Sequence, residues 1–139
     1  MTETVHATCV AWQGRGLLIM GASGSGKSGL ALSLMAWGCD LVGDDRVRLT
    51  ATAEGLIAAP VPNIAGLIEA RGLGILNADH IDKAVIAYLV DLDQTEAARL
   101  PPRRSITLMG CDLPLIYRAE TPDWAASLLQ LLKADWSDR

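Results

Sequence analysis

A strand-rich α/β fold built around a phosphate-binding loop is predicted by three features of this 139-residue chain. Residues 21–28 read GASGSGKS, a full match to G-x-x-x-x-G-K-[ST], set between the apolar run 17–20 and a leucine-rich segment that stops at Gly38. Short apolar runs parted by glycine, proline and acidic turns recur through residues 41–117, and AVIAYLVDL at 84–92 is apolar enough for a central strand. Near the C-terminus Trp124, Leu128, Leu131 and Leu132 fall on one helical face.

Taken in order, Val5, Ala7, Cys9 and Ala11 alternate with His6, Thr8, Val10 and Trp12, and Gln-Gly-Arg-Gly at 13–16 supplies a tight turn, so a hairpin should feed the loop. Residues 28–37 carry leucines at 30, 32 and 34 with Met35, and Gly38 stands where a helix takes a glycine C-cap. Leu41-Val42 leads into Gly43-Asp44-Asp45, and residues 47–50 and 56–59 flank Glu54-Gly55 as a further strand pair. After the central run come strands at 105–109 and 115–117, with Pro60, Pro62 and Pro101-Pro102 marking turns. In the last helix Thr121 is the expected cap and Pro122 the first helical residue.

Composition narrows the function classes. Apolar residues make up 50% of the chain, enough for one buried core, so residues 1–139 are expected to form a single domain. A net charge of -4 with no lysine- or arginine-rich run argues against a nucleic-acid partner. Cys9, Cys39 and Cys111 are widely spaced and suit neither a disulfide framework nor a zinc site; they read as small core residues in a reducing cytoplasm. The N-terminus has no leader pattern and no apolar run reaches membrane-spanning length, so a soluble, cytoplasmic protein without a membrane partner is expected.

The chemistry starts in the loop. Gly21, Ala22, Ser23, Gly24, Ser25 and Gly26 would turn backbone N–H groups onto phosphate oxygens at a helix N-terminus, Lys27 would reach the outer phosphates, and the Ser28 hydroxyl would ligate magnesium. A magnesium–nucleotide site also needs carboxylates, and two sets present themselves: Asp44-Asp45 after Leu41-Val42, and Asp91 at the end of the central run. Run length alone favours Asp91. The adjacent pair offers more chemistry, since at a turn one acid could sit near the metal while the other takes a proton. Residues 68–77, IEARGLGILN, add Glu69 and Arg71 to an otherwise apolar stretch in which Gly72 and Gly74 flank Leu73.

In order, GASGSGKS, LVGDD and IEARGLGI, with His6 ahead of the first block, resemble the HPr kinase/phosphorylase family over residues 6 to about 116. The resemblance implies a short form holding only the C-terminal catalytic domain, with a P-loop fold related to phosphoenolpyruvate carboxykinase. It also implies a bacterial enzyme of the phosphotransferase system that uses ATP, or pyrophosphate in some members, and Mg2+ to phosphorylate a serine of the phosphocarrier protein HPr. Hexamers in the family imply a homo-oligomer. By the same resemblance Lys27 is the phosphate-binding lysine, Ser28 and Glu69 the magnesium ligands, and Asp45 the proton acceptor. Asp44 helps the metal or orients its neighbour, His6 supports the pair, and Arg71 belongs to the transition-state surroundings. A later catalytic arginine is implied as well, with Arg99 preferred over Arg103 and Arg104.

The chain departs from the family in three places. Gly29 stands where an acidic residue is usual, the basic glycine-rich loop after Asn77 is cut to residues 78–83, and LMGCDLP at 108–114 lacks the arginine tied to phosphorolysis. Phosphorylase activity is therefore expected to be weak or absent. Two rivals stand beside the HPr kinase reading: a P-loop kinase with a small-molecule acceptor using Asp91, and a nucleotide-binding regulatory module without turnover.

Overall fold

The structure, a computed structural model, describes residues 1–138; Arg139, the last residue of the expected domain, lies outside the described residues. Eleven strands, two α-helices and one short 3-10 helix at Pro62–Ile64 occur among them. The N-terminal expectation needs one change, because the alternating stretch is broken at His6-Ala7. Thr2–Val5 (β1) pairs with Val47–Thr52 (β5), while Thr8–Trp12 (β2) forms the hairpin with Arg15–Met20 (β3) through Gln13-Gly14, both at positive φ. A two-residue turn of that hand matches the twist of the strands it joins. The first helix, α1, runs Lys27–Ala36 and ends as the leucine pattern requires: the N–H groups of Gly38 and Cys39 return to the carbonyls of Met35 and Leu34.

Asp40–Gly43 (β4) lies beside β2, and Gly55–Pro60 (β6) beside β5. Leu67–Ala70 (β7) and Gly74–Asn77 (β8) make a separate two-stranded ribbon that the sequence pattern did not signal. Ala84–Thr95 (β9) is the central strand and extends three residues past the predicted end. It runs parallel to β3 on one edge and, on the other, meets β6 near its start and Cys111–Arg118 (β11) further along. Arg104–Leu108 (β10) closes that side as a hairpin with β11. The shortened segment 78–83 covers the open edge of β4, with His80 bridging to Leu41 and Ile81 N–H donating to the Leu41 carbonyl.

The last helix, α2, spans Trp124–Ala134, and its N-cap is Asp123, two residues later than the expected Thr121. Thr121 and Pro122 form the turn before it instead, with the Trp124 N–H held by the Thr121 carbonyl. Its apolar face packs as predicted through Leu128 and Leu132, with Leu129 joining them. At its far end Asp135 accepts the Tyr88 hydroxyl, which in turn accepts from Arg15. Burial and this contact with Asp135 push the Tyr88 phenol up to about 12.

Consecutive strand residues point to opposite faces, and here both faces of the sheet centre are buried. Val10, Leu17, Ile19 and Val90 pack under α1 and α2, while Cys9, Leu18 and Leu89 pack on the other side against Val47, Leu49, Leu56 and Ala58 of the outer strands. This two-sided burial explains why LLIM and AVIAYLVDL are continuous apolar runs rather than alternating ones. Cys9 and Cys39 are buried as expected, and Cys111, the first residue of β11, is partly buried against the edge of the core; burial pushes the Cys39 thiol up to about 11. Among the described residues no helix is long and apolar enough to cross a membrane.

Candidate active site

The loop between β3 and α1 carries the phosphate motif. Gly26, at φ 103°, is the N-cap of α1 and brings no side chain to it, so the first-turn N–H groups face outward without a protein cap. A conformation at that φ suits glycine, and the bare helix end is the anion-binding feature expected of the motif. Lys27 is 7% exposed and its Nζ donates to the carbonyls of Gly21 (2.8 Å) and Ala22 (3.1 Å), which bends the loop around its own cation.

Asp44 stands directly beneath this loop, buried at the end of β4. One carboxylate oxygen accepts the Ser28 hydroxyl (2.6 Å) and the Thr8 hydroxyl (2.9 Å), and the other accepts the Glu69 backbone N–H (2.9 Å). Three donors on one buried carboxylate offset its desolvation and fix the loop, β2 and the ribbon to a single point. Thr8 carries no motif that marks it in the sequence; only its position opposite the loop reveals its part.

Asp45 follows at φ 68°, in the left-handed region that an aspartate tolerates better than most residues. The twist brings two consecutive carboxylates to one cavity, Asp44 buried and Asp45 open to solvent. The Ala7 N–H secures the turn by donating to the Asp45 carbonyl. His6 Nε2 lies 2.8 Å from Asp45 Oδ1, and both side chains are about half-exposed or more, at 48% and 64%. The order of the motif blocks puts His6 beside the pair; the bend between β1 and β2 is what places it there in space.

The cavity is about 420 Å3 and is lined by His6, Thr8, Lys27, Ser28, Asp44, Asp45, Glu69 and Arg71 together with loop glycines. Glu69 and Arg71 come from β7 and the ribbon tip. Among the described residues no three His, Cys, Asp or Glu side chains form a ready-made metal cluster. The donors present, the Ser28 hydroxyl and the Asp44 and Glu69 carboxylates, are hard oxygens. They fit Mg2+, which takes one or two carboxylates and completes its shell with water and phosphate.

Several residues that the sequence brings forward as candidates fall elsewhere. Asp91 accepts the N–H of Asp93 and does not line the cavity. Asp93, which no sequence pattern marks, instead holds the Ala22 N–H at the start of the phosphate loop through both oxygens (3.0 and 3.1 Å). Arg99 lines a second cavity, between the β10–β11 side of the sheet and α2. Arg103 lies over Trp136, and Arg104 is paired with Glu96 and stacked on Tyr117. The later arginine that does touch the loop is Arg118 of β11, which donates to the carbonyls of Ser25 and Leu92. LMGCDLP forms the β10–β11 hairpin, where Asp112 accepts the Thr107 hydroxyl away from the cavity, so its missing arginine is not a missing charge among the cavity-lining residues.

A strand–loop–helix with a buried lysine, an acid bonded to the loop serine and a second acid open to solvent in the same cavity defines a P-loop domain of the kinase type. The chain belongs to the HPr Serine kinase C-terminal domain family, whose model matches residues 1–87. It is 48% identical over 77 residues to the HPr kinase/phosphorylase of Bordetella pertussis strain Tohama I, covering 55% of this chain and 25% of that protein. A 44% identity over the same length relates it to the HPr kinase/phosphorylase of Brevibacillus brevis. The chain thus spans about a quarter of the length of the curated relatives it matches. The structure of the HPr(Ser) kinase/phosphatase from Coxiella burnetii superposes with a TM-score of 0.79 at 22% identity, over 94% of both chains. The family match stops at residue 87, short of the residue 116 that the motifs suggested, and the misplaced arginine and the LMGCDLP stretch both lie beyond it.

Proposed function

We propose that this chain is an ATP-dependent protein-serine kinase that phosphorylates HPr. The observation that carries the reading is that one cavity is lined both by buried Lys27 and Asp44, with Ser28 bonded to Asp44, and by the solvent-exposed His6–Asp45 pair. In-line phosphoryl transfer requires two such groups of residues, one for the donor phosphates and one, open to solvent, for the acceptor hydroxyl.

In this mechanism the loop N–H groups and Lys27 hold the outer phosphates. Ser28, Asp44 and Glu69 are the residues that would hold Mg2+, which supplies charge neutralisation on the phosphate oxygens. The acceptor serine oxygen attacks the terminal phosphorus, its proton passes to Asp45, and ADP leaves. His6, hydrogen-bonded to Asp45, orients that carboxylate, and Arg71 offsets charge spread over the transferring group. Among the cavity-lining cations only Arg71 is free of the loop carbonyls. Phosphorolysis must hold inorganic phosphate beside a phosphoserine, and Arg71 is the one cavity-lining Lys or Arg not engaged by the loop carbonyls, so the reverse reaction is proposed to be slow.

The rival with a small-molecule acceptor leaned on Asp91, which lies off the cavity. Incubating the purified chain with labelled ATP, Mg2+ and HPr should place phosphate on an HPr serine. Nucleotide binding without transfer would mean a regulatory module instead, and label on a small metabolite a different kinase.

A further inference from the structure

We infer that Asp93 and Arg118 clamp the phosphate loop: as positioning residues they hold residues 22–25 in the shape that receives phosphate before any nucleotide arrives. The inference rests on the nucleotide-binding part of the reading above and deepens it by naming what orders the loop.

The loop has little to order it from within. Gly24 and Gly26, at φ 81° and 103°, leave its backbone free to take other paths, and one internal bond closes the turn, from the Ser25 N–H to the Ala22 carbonyl (3.0 Å). The Ser25 hydroxyl adds nothing, being buried with no partner among the described residues. Side chains from outside hold both ends of the turn instead. At its entry Asp93 accepts the Ala22 N–H through both carboxylate oxygens (3.0 and 3.1 Å), and at its exit Arg118 donates to the Ser25 carbonyl while its Nε donates to the Leu92 carbonyl (3.2 Å). Lys27 also ties the loop, through the carbonyls of Gly21 and Ala22, but phosphoryl transfer needs that ammonium at the phosphates. Asp93 and Arg118 are the ties for which ATP does not compete.

An irregularity in the sheet delivers them. β3, β9 and β11 run parallel, so the loop after β3 leaves the sheet at the same edge as the ends of β9 and β11. The ladder between β9 and β3 stops at the pair Met20–Asp91, and the ladder between β9 and β11 slips from Tyr117–Asp91 to Arg118–Thr95, so Leu92, Asp93 and Gln94 pair with neither neighbour. Bulges of this kind re-aim backbone and side chains beside functional sites. Here the slip leaves the Leu92 carbonyl to Arg118 and brings the Asp93 carboxylate to Ala22.

Charge makes the case sharper. A carboxylate beside an anion-binding loop repels phosphate, so as a bare charge Asp93 works against the site. Among the described residues no lysine, arginine or histidine pairs with it, and both its oxygens go to the one loop N–H. Holding the loop accounts for an acid at that position, and the two roles predict opposite signs when the charge is removed.

The test is the Kd of Mg2+-ATP for the full chain by titration calorimetry, with transfer kinetics alongside, in Asp93→Ala, Asp93→Asn, Arg118→Ala, Arg118→Lys and the double alanine variant. Asp93 is exposed, so its variants should keep the wild-type unfolding midpoint. Asp93→Ala should raise Kd about tenfold or more and lower kcat by a smaller factor, because bound nucleotide restores the loop. Asp93→Asn keeps one acceptor oxygen and should raise Kd only about threefold, and Arg118→Lys should recover part of what Arg118→Ala loses. The double variant should fall short of the product of the single effects, since either change releases the same turn. An unchanged or tighter Kd in Asp93→Ala means that the carboxylate only repels phosphate; it overturns the clamp and leaves the kinase reading standing. Should Asp93→Ala fail to fold, Asp93→Asn decides in the same way, a Kd at or below that of the wild type overturning the clamp. A wild-type chain that binds no ATP overturns both.

Discussion

The phosphate-loop cradle and the β7–β8 ribbon contribute to the same cavity but are built on opposite terms. In the cradle every functional group is tied down: Lys27 by two carbonyls, Asp44 by three donors, and Ser28 and the Ala22 N–H each by a carboxylate. The ribbon is anchored on one face only, through Ile68 and Ala70, and leaves its second strand in solvent. Phosphates are the same whatever the acceptor, so their site gains from rigidity and pre-set charge. A bond from the Glu69 N–H to Asp44, together with the packing of Ile68 in one core cluster with Ala31 and Leu34 of α1, joins the two regions.

Substitutions in each region should separate these roles. The largest effect is expected for Lys27→Ala, which should lower transfer by about a thousandfold or more while circular dichroism shows a retained fold. The loop N–H groups remain, so weak ATP binding should persist; an unfolded variant would place Lys27 in the structural core rather than at the phosphates.

Asp45→Asn should cost transfer about a hundredfold or more with near-normal ATP binding, because the amide keeps the shape but cannot take the serine proton. Asp91→Asn is the matched control outside the cavity and should change the rate by less than about threefold. A reversed pattern would move the chemistry away from Asp45.

Stability sharpens the contrast further. Asp44→Ala strips the acceptor from two hydroxyls and one backbone N–H and should destabilise the fold by about 2–3 kcal/mol in urea unfolding. Arg71→Ala, at the exposed ribbon tip, should change stability by less than about 0.5 kcal/mol yet still slow transfer by about tenfold. Equal stability losses for the two would mean that the ribbon is as integral to the core as the loop.

The smallest effect lies outside both regions, at the Tyr88 anchor of α2. Its folded pKa, raised to about 12, stands above the ordinary phenol value near 10. Below about pH 10 both folded and unfolded chains keep the proton. Between about pH 10 and 12 the unfolded chain releases it first, so stability falls across that window. Tyr88→Phe should show a shallower alkaline loss than the wild type in urea midpoints compared across the same range.

What could be read from the residues alone was local or repetitive. The motif at 21–28 carries its own turn chemistry, the leucines before Gly38 carry helix period and stop signal, and AVIAYLVDL carries the apolarity of a strand buried on both faces; each of these depends only on neighbours in the chain. The ribbon was missed because β8 has no buried side and so no hydrophobic pattern to signal it. His6 and Glu69 were found through the order of the motif blocks, not through any property of their own. Tertiary structure alone decided the rest. For Asp44, which the order of the motif blocks already favoured over Asp91, it supplied the reason: β4 ends beside Ser28, whereas Asp91 accepts the backbone N–H of Asp93. It replaced Arg99 by Arg118 at the loop, because strand pairing brings the end of β11 alongside β9 and leaves the 97–103 connection over a different cavity. Long-range proximity of this kind is set by sheet order, and sheet order is the sum of many weak packing preferences that no short segment encodes.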